Sequence, residues 1–240
     1  MKSALMSRLE RSVVLTAEER DWIARLEREE RPVAARTTLY AEGEPMADGH
    51  VLRYGWAIVR GRCVNGRAPI LRIYLPGEII GLAELGRAEA VHSIQMQTDG
   101  SISTFPRVLF AELIADAPRL AALLVSLSSL DQIVLREWLG ALTRMDGASR
   151  LIHFLLQMRD RLAPLSGHKS ARFELPFSQA EIADILGVTT VYVNRMFQTL
   201  RKEGRLENHG RSVRLLDVAG MERDVGYRDV QQGLYTDWFT

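Results

Sequence analysis

Only one of the 240 residues is cysteine, Cys63, and that scarcity removes whole classes of architecture. A lone thiol closes no internal disulfide and builds no multi-thiolate metal site. An iron–sulfur cluster takes about four thiolates and is excluded on the same count. The five histidines are scattered, without the His-x-His pair of a cupin-type metal site, and no spacing among His50, Cys63 and His92 selects axial ligands for a haem. Net charge is nearly absent: 31 Lys and Arg against 30 Asp and Glu leave a formal +1, so the chain is no general polycation. Long apolar runs are missing too. The stretch 1–10 is too charged for a secretory signal, and the charge-free stretch Leu120 to Leu130 is too short to span a bilayer. A soluble, cytoplasmic protein without membrane partners is expected, with no metal and no catalytic residues.

What the chain has is apolar content, 47% of it, enough at this length for two cored domains. Residues 16–30 alternate apolar and charged positions at helical spacing behind a capping box, Thr16 with Glu19. From about Pro32 to Arg107 short β-like runs follow: Thr37-Thr38-Leu39-Tyr40, His50 to Tyr54, Trp56 to Arg60 and Ile70 to Tyr74. Glycines punctuate them, and Asn65-Gly66-Arg67 is a hairpin-turn signal. Strands this short at this spacing predict a barrel or jelly roll. Helix returns at Val108–Ile114, and a long helix spans about Arg119 to Arg144. Its apolar set runs from Leu120 through Trp138 to Met145, a stripe broad enough to touch its own barrel on one side and a twin helix on another. Asp146 caps a further helix, Ala148 to Leu162, and Asp146-Gly147 reads as the hinge. A loop over 163–170 and a strand over Arg172–Phe177 come next.

The densest signal lies at Ser178 to Leu216. Ser178-Gln179-Ala180-Glu181 is a capping box, Gly187 supplies a left-handed turn, and Thr189 caps a second helix. Ile182, Leu186, Val188, Val193 and Met196 are spaced to fill the wedge between two short helices crossing steeply, with Ala183 small at the approach. This is a helix-turn-helix; the plainer alternative is a helical hairpin in a core. Arg195, Arg201 and Lys202 place positive charge on the second helix without an acid. Arg205-Leu206-Glu207 and Ser212 to Leu216, joined across Asn208-His209-Gly210-Arg211, read as a wing that carries Arg211 toward a phosphate.

A β-roll, a long helix, a hinge and a winged helix-turn-helix in this order resemble the Crp/Fnr family of bacterial transcription regulators. Leu175-Pro176-Phe177-Ser178-Gln179-Ala180-Glu181-Ile182-Ala183-Asp184-Ile185-Leu186-Gly187 carries the resemblance most specifically. Glu42-Gly43-Glu44, Tyr54-Gly55-Trp56-Ala57 and Leu75-Pro76-Gly77-Glu78-Ile79-Ile80-Gly81 resemble the family's barrel turns. The resemblance implies an α+β chain: an N-terminal helix and double-stranded β-helix (jelly-roll) sensor over 1–115, a dimerisation helix over 116–145, a winged helix-turn-helix over 146–217 and a tail over 218–240. It also implies a homodimer on an inverted repeat of double-stranded DNA, with RNA polymerase a candidate partner and the DNA-binding domains swinging about Asp146-Gly147.

One departure bears on the sensor. Cyclic-nucleotide-binding members carry Gly-Glu and, later, Arg-Ser or Arg-Thr, where this chain has Gly81-Leu82 and His92-Ser93. His92 lacks the permanently charged bidentate fork that arginine offers a phosphate, so cyclic AMP is not expected. Glu84, Arg87, His92 and Ser93 remain as effector candidates for an unidentified signal. A cyclic-nucleotide-responsive regulator or binding module and a cupin-like metal enzyme stand as alternatives. Arg60 and Arg62 beside Cys63 would favour a thiolate, the precondition for a redox role.

On the recognition helix, Thr190, Val191, Tyr192, Asn194, Arg195 and Gln198 are the groove-facing candidates. Arg195 suits a guanine, Asn194 or Gln198 an adenine and Val191 a thymine methyl, while Thr189 and Thr190 suit phosphates. Ser178 and Arg211 complete the expected DNA-contacting set. The aromatic tail residues Tyr227, Tyr235, Trp238 and Phe239 are expected to dock back on the protein, because exposed aromatic patches are costly.

Overall fold

The structure, a computed structural model, describes residues 3–63, 66 and 68–230. Asn65 and Arg67 of the expected hairpin turn, and the tail aromatics Tyr235, Trp238 and Phe239, lie outside the described residues. The chain forms two compact units, divided between Ser129 and Leu130.

In the first unit β1 (Glu30–Val33), β8 (Gly100–Pro106), β3 (Asp48–Tyr54) and β6 (Ile79–Ile80) form one antiparallel sheet in that order. The other is β2 (Thr38–Tyr40), β7 (Ser93–Met96), β4 (Ala57–Arg60) and β5 (Ile70–Tyr74). Two four-stranded sheets in this order make a jelly roll. Its interior is filled by Tyr40, Met46, Leu52, Val59, Tyr74, Ile80, Ile94, Met96 and Ile102. Helices cover the outer face of the β3 sheet: α1 (Ala4–Leu9), α2 (Ala17–Leu26), α3 (Val108–Asp116) and the start of α4 (Pro118–Arg144). β3 is therefore apolar on both sides. Val51 faces the helices while its neighbour Leu52 faces the roll interior, and both are fully buried.

No sequence signal marks α1. It has only six residues, too short to be stable alone, and it is held by tertiary contacts instead. Leu5 and Leu9 are buried, the Leu5 N–H donates to the Glu27 carboxylate at 3.0 Å, and Arg8 pairs with Glu78 at 2.8 Å. Glu27, which the reading left inside a helix over 16–30, instead ends α2 and pairs with the buried Arg53. The Thr16–Glu19 capping box forms as expected, and Glu19 also takes Arg119 of α4 at 2.7 and 2.8 Å.

The second unit opens with the rest of α4, which folds back on α5 (Gly147–Ser166). Trp138 meets His153 and Phe154 at ring-centroid distances of 5.9 and 6.4 Å, and Ala141 is buried. Asp146 caps α5 by accepting from Ser149 N at 2.8 Å, which holds its carboxyl below the usual carboxylate range. Asp146-Gly147, the expected hinge, lies inside the second unit, and the division between the units falls earlier, within α4. There Ser126 and Ser129 return their hydroxyls to the carbonyls of Ala122 and Val125, a bond that competes with the helix ladder. α5 also outruns its expected end. It passes Pro164 and stops at Gly167, because a proline in a last turn costs a single ladder bond.

The winged helix follows as β9 (Arg172–Glu174), α6 (Gln179–Leu186), α7 (Thr190–Lys202), β10 (Leu206–His209) and β11 (Ser212–Leu215), with sheet order β10-β11-β9. The expected strand over Arg172–Phe177 is cut short at Glu174, since Leu175 and Phe177 turn into the core. Part of the expected tail is a helix, α8 (Val218–Val225), lying on α5 with Met221 fully buried. Arg159, held by its neighbour Asp160 at 2.7 Å, joins α5 to α8 through Glu222 at 2.8 Å, and Tyr227 meets His153 edge-on at 5.3 Å. Docking of the tail thus holds for Tyr227. Burial pushes its hydroxyl well above the ordinary tyrosine range, and Asp160 and Asp229 push the same way.

A titration follows from the roll. His50, 5% exposed, stacks on Tyr40 and shares a 3.0 Å hydrogen bond with Thr104. Burial, and then Arg31, push its pKa from 6.5 down to about 4. The unfolded chain therefore takes up a proton that the fold refuses, so stability is complete above about pH 6.5 and falls as pH drops toward 4. Between pH 7 and 5 the loss is expected to be about 2 kcal/mol. Urea unfolding of wild type and His50→Gln at both pH values checks this. The variant should lose that share and keep only the share of His153, whose pKa burial also lowers.

Candidate nucleic-acid interface

The interface is built from the caps outward. Ser178 accepts from Glu181 N at 3.2 Å, and the Glu181 carboxylate accepts from the Ser178 backbone at 2.7 Å and from its hydroxyl at 2.8 Å. Ser178 is thus committed first to starting α6, which modifies its expected role as a DNA contact. Gly187 ends α6 with φ +66, a left-handed conformation that a side chain would strain. Thr189, exposed, accepts from Tyr192 N at 3.3 Å, which leaves its hydroxyl proton to donate outward.

α7 divides cleanly into two faces. Val193, Met196, Phe197 and Leu200 are buried, whereas Val191, Asn194, Arg195, Gln198, Arg201 and Lys202 are exposed. Val188, expected in the wedge, is only half-buried, and Thr190 is half-buried at the helix start. Val191 is 79% exposed, an expense in water that a thymine methyl would remove. Among the described residues no carboxylate pairs with Arg195, Arg201 or Lys202, so the outward face is positive and unneutralised.

Tyr192 departs from the expectation. Its ring does not join the outward row but lies against the start of α5. A Cβ on Gly147 would come 3.0 Å from its Cδ1, 3.2 Å from its Cζ and closer still to Cε1. From there the ring supports Arg195, whose guanidinium sits 4.8 Å from the ring centroid. Gly147 thus belongs to the site, and sequence reasoning missed it, because only the fold brings it to α7.

The wing forms with Gly210 and Arg211 linking β10 and β11, so His209 pairs with Ser212 and Arg211 is exposed at the tip. His209 is exposed beside it, a residue that sequence reasoning did not single out. Arg205 faces away, tied to Asp217 at 3.9 Å and to Asp224.

The effector candidates are not gathered into one set. Ser93 accepts from Glu42 N at 3.1 Å. Glu84 sits in the loop after β6, where Arg107 takes the carbonyls of Glu84, Leu85, Arg87 and Met46 and so holds the loop shut. One Glu84 carboxylate oxygen is buried without a partner among the described residues, Arg87 is exposed, and His92 is half-buried. Cys63 is exposed, and its neighbour Arg62 pairs with Glu42 at 2.6 Å.

Residues 149–224 match the Crp-like helix-turn-helix domain family, and residues 30–117 match the cyclic nucleotide-binding domain family. The chain is 28% identical over 214 residues to the transcriptional regulatory protein btr of Bordetella pertussis, covering 89% of this chain and 88% of that protein. It is 26% identical over 191 residues to the transcriptional activator protein FnrA of Stutzerimonas stutzeri, covering 80% and 78%. Its fold superposes on FixK2 from Bradyrhizobium japonicum with a TM-score of 0.73 at 23% identity, covering 81% of this chain and 96% of that one. With both halves matched in the order that the strands, α4 and the winged helix display, the chain belongs to the Crp/Fnr family and is a DNA-binding transcriptional regulator with a cyclic-nucleotide-binding-like sensory domain.

Proposed function

We propose that the regulator works as a cytoplasmic homodimer reading an inverted-repeat operator, with α7 in the major groove and the wing tip on phosphate. The observation that carries this is the outward face of α7, where Val191, Asn194, Arg195 and Gln198 stand exposed on a helix whose opposite face is wholly buried. Arg195 is the principal base reader and takes a guanine edge through two parallel hydrogen bonds. Asn194 and Gln198 are the adenine readers; Thr189, Thr190 and Arg211 fix the backbone.

Pairing runs along α4. Val125, Leu135, Leu139 and Leu142 are 59%, 57%, 61% and 38% exposed, an apolar row left uncovered among the described residues. By length and composition alone α4 also qualifies as a membrane span. Asp131, Arg136 and Glu137 interrupt it midway, which favours a second copy over lipid as the cover.

The signal read by the roll is not a cyclic nucleotide. By the family resemblance Leu82 and His92 fall where a ribose acceptor and a phosphate fork would be needed, and Tyr40, Tyr74, Met46 and Met96 fill the interior.

Three measurements test these parts. Selection from a randomised duplex pool at stated salt is expected to enrich one inverted repeat, and Arg195→Ala is expected to relax a single position per half-site, at a cost of about 1–3 kcal/mol in discrimination. An unstructured or single-site winner would sink the operator reading. Leu135→Lys with Leu139→Lys is expected to shift sedimentation from dimer to monomer with the far-ultraviolet circular dichroism of the folded chain kept; a double variant that stays dimeric would remove α4 from the interface. Calorimetric titration with cyclic AMP is expected to give no binding heat, and a saturating isotherm would restore the cyclic-nucleotide reading.

A further inference from the structure

We propose that Tyr192 is a positioning residue for base readout: wedged against the bare Cα of Gly147, its ring is the platform that presents Arg195 to the groove. The inference rests on Arg195 being the base reader. Three features meet at one point. Gly147 begins α5 and is buried, although alanine is the better helix former; the ring fills the space a methyl group would take. Tyr192 sits three residues before Arg195 on α7, so the two side chains share a strip of helix surface, and the guanidinium centres 4.8 Å over the ring. Arg195 is exposed and has no carboxylate partner among the described residues to hold it elsewhere.

The physical gain is preorganisation. A free arginine side chain loses rotamer freedom when it grips a base, and a flat aromatic support removes part of that loss before DNA arrives. The ring cannot supply the support unless it is itself fixed, and the start of α5 fixes it. Arg195 is therefore tied through one aromatic ring to the helix that follows α4. The hydroxyl of Tyr192 plays no part in this, which separates the platform from a tyrosine that contacts phosphate.

The test is the same duplex selection, run with wild type, Arg195→Ala, Tyr192→Phe, Tyr192→Leu, Gly147→Ala and the double variant Arg195→Ala/Tyr192→Leu. Tyr192→Phe is expected to keep the wild-type preference. Tyr192→Leu is expected to lose about tenfold of the preference at the one position that Arg195→Ala relaxes, with other positions and the salt slope kept. The double variant should be no more relaxed there than Arg195→Ala, and Gly147→Ala should relax the same position by displacing the ring. Tyr192→Met, unbranched, adaptable in packing and a good helix former, replaces the leucine variant if that one melts early. If Arg195→Ala relaxes no position, the reading of Arg195 and this inference fall together. If Arg195→Ala relaxes a position and neither aliphatic variant does, or both weaken all positions evenly, only the platform is overturned. Loss in Tyr192→Phe equal to that in Tyr192→Leu would assign the effect to the hydroxyl and also overturn it.

Discussion

The apolar wedge between α6 and α7 is the constraint on which the DNA-binding half depends. Leu186 and Val193 are fully buried, with Ile182, Ala183, Met196, Phe197 and Leu200 at 4% exposure or less. Each large side chain here contributes about 2 kcal/mol of burial. Rotating α7 by one residue would surrender several of these at once, more than any single exposed contact returns. The core therefore decides which residues look outward, and Val191, Asn194, Arg195 and Gln198 face the groove because their neighbours cannot. Gly187 serves the same wedge, since only a left-handed residue closes the turn at this spacing.

Polar groups fix the orientation of what apolar burial merely collects. In the roll unit the Glu27 carboxylate reaches both the first turn of α1 and Arg53, and Arg107 holds four carbonyls that close the loop over Glu84. In the winged unit Arg159 holds α5 to α8 while Lys169 pairs with Asp160 and Asp229. Each of these is a buried or partly buried charge with a partner, and removing one side leaves the other stranded, which costs more than the pair contributes. They define registry between elements rather than supplying the bulk of stability.

The sequence carried the local events well and the non-local ones poorly. Both capping boxes, the N-caps at Asp146 and Thr189 and the turn at Gly187 are set by residues within a few positions of one another and appear as read, and the wing forms with a shorter turn than expected, Asn208 and His209 joining β10. α1 was illegible because its stability comes from Glu27 and Glu78, far along the chain. β7 and β8 lacked a clear run because their buried positions alternate with Ser93, Gln95, Ser101 and Thr104. Tyr192 read as groove-facing because helical periodicity places it near Val191 and Arg195; nothing local discloses that Gly147 stands beneath it. α8 was hidden for a similar reason, its helix being held by Arg159 from another element.

The breadth of the apolar stripe on α4 has a single explanation in the demands made on it. Its first turns give Leu120, Leu123 and Leu124 to the core of the roll unit, and its last turns give Trp138 and Ala141 to α5 in the winged unit. Val125, Leu135 and Leu139 belong to neither set and stay exposed. A helix buried within a monomer would have no reason to keep this third row apolar, since charged residues there would favour solubility at no packing cost. Ser126, Ser129 and Thr143 all return their hydroxyls to carbonyls of the preceding turn, so these polar groups are satisfied within the helix itself. One helix thus serves two cores and, among the described residues, keeps an apolar row open.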